Sequence, residues 1–263
     1  MSLHDAPLLF VSAVIAGALN SVAGGGGFIA FPALVFTGVP PINANATNTI
    51  ALWPGTVAST GAYRRELRSP DLWRAMVPLL VVSFLGSIAG ALLLLHTPQQ
   101  TFMQTVPWLL LGATLLFMFA GRISDWVRKR VRMHHESGKH NLFSSVAVTS
   151  LQLVVAVYIG YFGAGAGILM LALFALMGME NIHAMNAFKT LMASCANGVA
   201  VVTFILAGAV AWPQAILMVA GAVLGGYGGA WYAQKLPQAT IRWVVTAVGA
   251  SMTAYFFQRQ YLA

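Results

Sequence analysis

Apolar residues fall in eight long runs: Leu8–Thr37, Asn45–Tyr63, Met76–Leu95, Met103–Ala120, Ser144–Met177, Ala187–Ala207, Pro213–Ala233 and Ile241–Phe257. Short polar stretches separate them. At about 1.5 Å per residue each run is long enough to cross roughly 30 Å of hydrocarbon as a helix. The pattern predicts an all-α polytopic membrane protein. The first and fifth runs are too long for one crossing, and glycines interrupt both. One break reads Gly24-Gly25-Gly26-Gly27, the other Gly163-Ala164-Gly165-Ala166-Gly167. A glycine inside a helix costs about 1 kcal/mol against alanine. Each long run is therefore expected to form two half-helices joined by bare backbone.

The order of these features recurs. Gly25 and Gly27 lie 140 positions before Gly165 and Gly167, and Asn45-Ala46-Thr47-Asn48-Thr49 lies 141 before Asn186-Ala187-Phe188-Lys189-Thr190. Pro98-Gln99-x-Thr101 lies 139 before Pro237-Gln238-x-Thr240, and Leu85-Gly86 with Gly90-Ala91 lies 139 before Leu224-Gly225 with Gly229-Ala230. Four matches in one order predict two pseudo-symmetric repeats of four apolar segments, the first segment of each broken by glycines. Residues 1–121 form the first transmembrane repeat, 122–142 a basic cytoplasmic linker and 143–263 the second transmembrane repeat. Interrupted helices at corresponding places in two halves point to a transporter's binding site. Glycines at 86 and 90, and at 221, 225 and 229, have the spacing of close helix crossings instead.

Composition strengthens this picture. Apolar residues make up 59% of the chain and charged residues 8%, against about 25% charged in soluble domains. The net charge of +8 does not indicate nucleic acid, because the basic residues sit in short groups between apolar runs. Arg64, Arg65, Arg68 and Arg74 form one group; Arg122, Arg128, Lys129, Arg130, Arg132 and Lys139 form another. Such groups mark cytoplasmic loops. Two arrangements fit. In one, all eight runs cross and the N-terminus is inside. In the other, runs one and five are re-entrant hairpins, the N-terminus is outside and the halves are inverted. The second leaves only Arg259 on the outer side when Lys189 is set aside, and the charge rule leans toward it. The first residues lack the basic region of a cleaved signal peptide, so the first run is expected to be retained. The lone Cys195 excludes an internal disulfide.

Polar residues inside the runs form stripes. Asn45, Asn48, Thr49 and Thr56 share one helical face, and Asn186, Lys189, Thr190 and Asn197 share the matching face. Unsatisfied polar groups in lipid cost several kcal/mol, so both stripes face protein or water. They either line a cavity or bond helix to helix. Lys189 stands eight residues into its helix, where a charge costs at least ~2.5 kcal/mol unless something receives it. All six acids, Asp5, Glu66, Asp71, Asp125, Glu136 and Glu180, lie near loops or ends. Lys189 then either snorkels to the interface or meets a bound anion. The half-helices beginning at Phe28 and Ile168 would aim free N–H groups into the breaks, another feature that attracts anions. The glycines either admit a ligand to the backbone or only allow tight packing. On the first view, valine at Gly25 or Gly26 abolishes transport while the protein still reaches the membrane. His134, His135 and His140 lack cysteine or acidic companions, so no metal site and no cofactor is expected.

These residues resemble the TauE/SafE family of membrane transporters, the sulfite exporters, over nearly the whole chain. The resemblance rests on Gly17-x-x-Asn20-x-x-Ala23-Gly24-Gly25-Gly26-Gly27 with Phe31-Pro32-Ala33-Leu34, on Ala44 to Thr49, and on Asn186 to Thr190 with Asn197-Gly198. It implies secondary transport of a sulfur oxyanion or organosulfonate, such as sulfite or sulfoacetate, across a bacterial cytoplasmic membrane. The expected substrate-binding set is Asn20, Gly24, Gly25, Gly26, Gly27, Asn45, Asn48, Thr49, Gly163, Gly165, Gly167, Asn186, Lys189, Thr190 and Asn197. The expected partners are a small anion and the lipid bilayer, with a homodimer left open and nucleic acid excluded. An anion channel with the same lining is the alternative. A membrane-embedded enzyme is disfavoured, since no acid–base pair or metal set lies inside the apolar segments.

Overall fold

The computed structural model describes residues 4–62, 66–68, 70–136, 145–177, 179, 181–233 and 238–262. The expectations placed on Arg64, Arg65, Lys139, His140, Glu180, Lys235 and Pro237 fall outside them. The described residues form helices, turns and no strand. In order they are α1 (Asp5–Ala23), α2 (Gly27–Phe36), α3 (Pro41–Ala62), a 3₁₀ turn (Glu66–Arg68), α4 (Pro70–His96), α5 (Gln99–Glu136), α6 (Ser145–Tyr161), α7 (Ala166–Leu176), α8 (Ile182–Leu206), α9 (Trp212–Ala233) and α10 (Gln238–Phe257), then a π-turn (Gln258–Leu262). Met76–His96, Gln99–Arg122 and His183–Leu206 are long and apolar enough to cross a bilayer. Asp5–Asn20, Gly27–Phe36, Val146–Tyr161 and Ala166–Leu176 are shorter apolar helices. Both long runs break at their glycines. The first part of the stretch expected as a basic linker, from residue 122 through Glu136, is helical and continues α5, because Arg, Lys and Met hold a helix nearly as well as leucine does; residues 137–142 lie outside the described ones.

The molecule is apolar outside and carries polar side chains inside. Leu206, Tyr227, Val146 and Trp243 are exposed, while Ser83, Ser87, Thr47, Asn45 and Gln152 are buried. That distribution suits lipid as the solvent.

The closest helix pairs are α1 with α9 and α4 with α6. Glycines make both possible. A Cβ on Gly225 would overlap the Val14 carbonyl, and one on Gly17 the Ala222 carbonyl. Gly90 meets the Val157 carbonyl and Gly160 that of Ser87 in the same way. These contacts advance together along each pair, Phe10 to Gly221 and Val14 to Gly225, so the paired helices run parallel. The glycines at 86, 90, 221 and 225 thus serve backbone approach, as their small-xxx-small spacing predicts.

Two faces of the bundle follow from the ends. Asp5, the Thr37–Pro40 turn and Val210, Ala211 and Gln214 border one open cavity. Asn43 donates to the Ala209 carbonyl and accepts from Gln99, which places the α4–α5 turn on this first face as well. On the second face Trp73, near the start of α4, packs edge-on against Phe188 near the start of α8. Met76 and Leu79 share a core there with Phe174 and Ala175 at the end of α7. Hence α1 and α2 enter from and return to the first face, whereas α6, parallel to α4, and α7 enter from and return to the second. The glycine breaks are the inner tips of two hairpins with opposite directions. The two breaks have the hairpin form that the second arrangement expects for them.

The 3₁₀ turn, the start of α4 and the end of α5, the elements whose sequences carry the basic groups, lie toward the second face. The expected outcome is that this face is cytoplasmic. In a Cys195→Ala background, cysteine at position 70 or 137 should resist a membrane-impermeant thiol reagent in intact cells and label after permeabilisation. Ready labelling from outside would reverse the orientation.

Candidate substrate site

The first break is built by backbone chemistry. Gly24 ends α1 at φ 75°, its N–H bonded to the Asn20 carbonyl, a left-handed cap that glycine adopts without strain. The N–H of Phe28 donates to the Gly25 carbonyl, and those of Ile29 and Ala30 to Gly26. The second break uses Gly163 at φ 78° and Gly165 at φ 76°. There Ala166 donates to the Gly163 carbonyl and Ile168 to that of Gly165. The expectation that Phe28 and Ile168 offer free N–H groups is therefore corrected, because each closes a tight turn onto a glycine carbonyl. Among the described residues, the donors without a backbone acceptor are those of Gly25, Gly26 and Gly27 in one break and of Ala164, Gly165 and Gly167 in the other.

What surrounds each glycine separates packing from access. A Cβ on Gly25 would come within 2.6 Å of Val245 Cγ1, and one on Gly26 would overlap the Ala16 carbonyl and press on Asn20 Cβ. Both positions are filled by protein. A Cβ on Gly24 would meet nothing within 4 Å. One on Gly27 would meet only the Asn48 side-chain nitrogen at 3.5 Å, and one on Gly167 only the Lys189 stem, its Cδ at 3.4 Å. So the first residue of α2 faces Asn48, and the N-terminal turn of α7 faces Lys189.

The stripes divide likewise. Thr49 donates to the Asn45 carbonyl, Thr56 to Leu52, Thr190 to Asn186 and Ala187, and Asn197 to Ala193. These side chains bond back to their own helices, which is the bland reading. Lys189 is half-buried, and its ammonium donates to Asn186 Oδ1 at 2.9 Å. Among the described residues no carboxylate meets it. Asn45 reaches across to the second break, its nitrogen donating to the Tyr161 carbonyl at 3.0 Å. Asn45 Oδ1 and Asn48 Oδ1 are buried without a hydrogen-bond donor. Asn45 and Asn48, one turn apart on α3, therefore touch both breaks.

The structure thus groups Gly27 with Asn48, and Gly167 with Lys189 and Asn186, with Asn45 linking the two sets. Gly25, Gly26 and Asn20 stand behind them as packing, and Gly163 and Gly165 as turn formers. Other residues were not singled out beforehand. Tyr158 fixes the second break by donating to the Ala164 carbonyl at 2.5 Å. Its position one turn before the glycines was the available signal. Trp53 donates to the Ser194 carbonyl at 2.9 Å, and its indole fills the space beside Gly198, joining α3 to α8. Thr114 of α5 is buried with an unpartnered hydroxyl, near Gly249 of α10. Nothing in a single polar residue on an apolar helix distinguishes it in advance.

A family profile described as "Sulfite exporter TauE/SafE" matches residues 9–256. The chain is 30% identical over 250 residues to a "Probable membrane transporter protein" of Haemophilus influenzae, covering 94% of this chain and 92% of that one. It is 30% identical over 248 residues to "Probable membrane transporter protein YfcA" of Escherichia coli K12, covering 94% and 87%. It is 31% identical over 234 residues to "Probable membrane transporter protein ORF9" of a Sinorhizobium species, covering 89% and 85%. No solved structure matches the chain.

Proposed function

The chain belongs to the TauE/SafE sulfite exporter family of multi-pass membrane transporters, and from that premise we propose that it carries a small anion, a sulfur oxyanion or an organosulfonate, through a site between its two glycine breaks. The observation that carries this reading is Lys189. Its ammonium has a neutral partner only, and its stem lies on Gly167 at the inner tip of a hairpin. A fixed positive charge so placed, beside backbone N–H groups at the start of α7, attracts an anion. Asn48 beside Gly27 is its neutral counterpart, giving one full charge in total. That suits a monoanion, or a dianion aided by both half-helix N-termini. The two hairpins of opposite direction, and the matched pairings of α1 with α9 and α4 with α6, support reading residues 1–121 and 143–263 as inverted repeats. Rocking of one against the other would alternate access.

Thermal unfolding of the purified protein tests the substrate class. Sulfite, thiosulfate or a short sulfonate should raise Tm saturably over equal chloride. If none of them does so, the sulfur-anion reading fails. Counterflow of labelled substrate in proteoliposomes is expected as well, and its absence alongside rapid flux would mark a channel.

A further inference from the structure

Asn45 and Asn186 occupy matching places on α3 and α8, 141 positions apart. Their side-chain oxygens differ in what they meet. Asn186 Oδ1 accepts from the Lys189 ammonium. Three residues beyond Asn45 stands Asn48 in place of lysine, and neither Asn45 Oδ1 nor Asn48 Oδ1 has a donor. The exposures of the two residues are 1% and 7%. The Asn45 amide cannot turn over to relieve this. Its nitrogen holds the Tyr161 carbonyl, and reversal would set two oxygens against each other. Buried acceptors left without a partner are uncommon and call for an explanation. The other half of the molecule supplies one, since a positive charge satisfies the equivalent oxygen there.

We propose that Asn45 and Asn48 bind a small monovalent metal cation of the sodium type, which plays beside α3 the part that the Lys189 ammonium plays on α8. The proposal rests on reading the glycine breaks as an anion site. Amide oxygens are hard, neutral ligands that suit an alkali cation. With no acidic residue on α3, a single charge is favoured over a double one. Asn48 stands with its amide beside Gly27 and the start of α2, one turn along α3 from Asn45, so its oxygen is the second neutral ligand on offer. Water and the transported anion's own oxygens complete the coordination. Cation and anion then neutralise each other inside a low-dielectric bundle, so each tightens binding of the other by the same factor. Such mutual tightening couples anion movement to a cation gradient.

The test uses the full chain in detergent, with chloride and ionic strength held constant and Na⁺ exchanged for N-methyl-D-glucamine. Without any substrate anion, Tm of the unaltered protein should rise saturably with Na⁺. Asn48→Lys sets an ammonium beside Asn45, as Lys189 is set beside Asn186, and should unfold at a temperature independent of Na⁺. Asn45→Leu should also lose the response. Sulfite or sulfonate should bind several-fold more tightly to the unaltered protein in Na⁺. Absence of any Na⁺ response in the unaltered protein overturns the proposal, whether or not the variants fold. So does an undiminished response in either folded variant. Anion stabilisation measured in N-methyl-D-glucamine reports on the anion site separately, so the cation reading can fail while the anion reading stands.

Discussion

Lys189→Met is expected to lower substrate affinity about 30- to 150-fold, the loss of roughly 2–3 kcal/mol associated with a hydrogen bond to a charged group. The protein should remain folded. Methionine keeps the length and apolar character of the stem that rests on Gly167, and Asn186 loses only one neutral-acceptor bond. Deleting a poorly compensated charge also removes its desolvation cost. Lys189→Arg keeps the charge with a wider head and should retain partial activity, since a planar fork does not reproduce the reach of an ammonium. Anion-dependent Tm shifts and uptake, measured on the same preparations, check the expectation. If Lys189 merely snorkelled, Lys189→Met would bind its anion unchanged and any defect would appear in insertion or yield. The stem's position at the inner tip of the α6–α7 hairpin, against the backbone of α7, argues for the first outcome.

The largest effect on stability is expected at Gly26. Even alanine there drives a Cβ into the Ala16 carbonyl and against Asn20. Backbone cannot yield as a side-chain tip can. Overpacking of a close-packed interior costs about 1–3 kcal/mol where neighbours give way, and more is expected where the obstacle is the facing helix itself. Gly26→Val should therefore fail to accumulate as folded protein. This differs from the expectation drawn from the glycine run alone, that valine here stops transport in a protein that still reaches the membrane. Gly27→Ala is the informative contrast. Its Cβ would rest at van der Waals distance from Asn48, so the fold should survive while ligand access to the start of α2 narrows. Yield and Tm should fall sharply for Gly26→Val and stay near those of the parent for Gly27→Ala, with anion affinity reduced in the latter. A well-folded, stable Gly26→Val would show that α1 and α2 are not packed as described.

The apolar runs and their interruptions were legible in the sequence because each follows from local chemistry. A run of apolar residues needs lipid, and successive glycines end a helix whatever lies around it. The small-xxx-small glycines and the unusual Lys189 were legible for the same reason. Bonding partners were not. Asn45, Thr49 and Asn197 look alike on a helical wheel, yet Asn45 crosses to Tyr161 while Thr49 and Asn197 bond back to their own helices. Which of these occurs depends on what stands opposite, and sequence spacing along one helix carries no such information.

By itself the sequence determined the solvent, the helical class, the two breaks and the presence of Lys189 within an apolar helix, since those depend on residue type and period alone. Only the tertiary structure decided that α1–α2 and α6–α7 are hairpins entering from opposite faces, that Gly25 and Gly26 are packed against neighbours while Gly27 and Gly167 face Asn48 and Lys189, and that two asparagine oxygens of the first stripe lie buried without donors. Each of these depends on which backbone approaches which across the bundle, and the approach of α1 to α9 and of α4 to α6 is fixed by contacts between residues far apart in the chain.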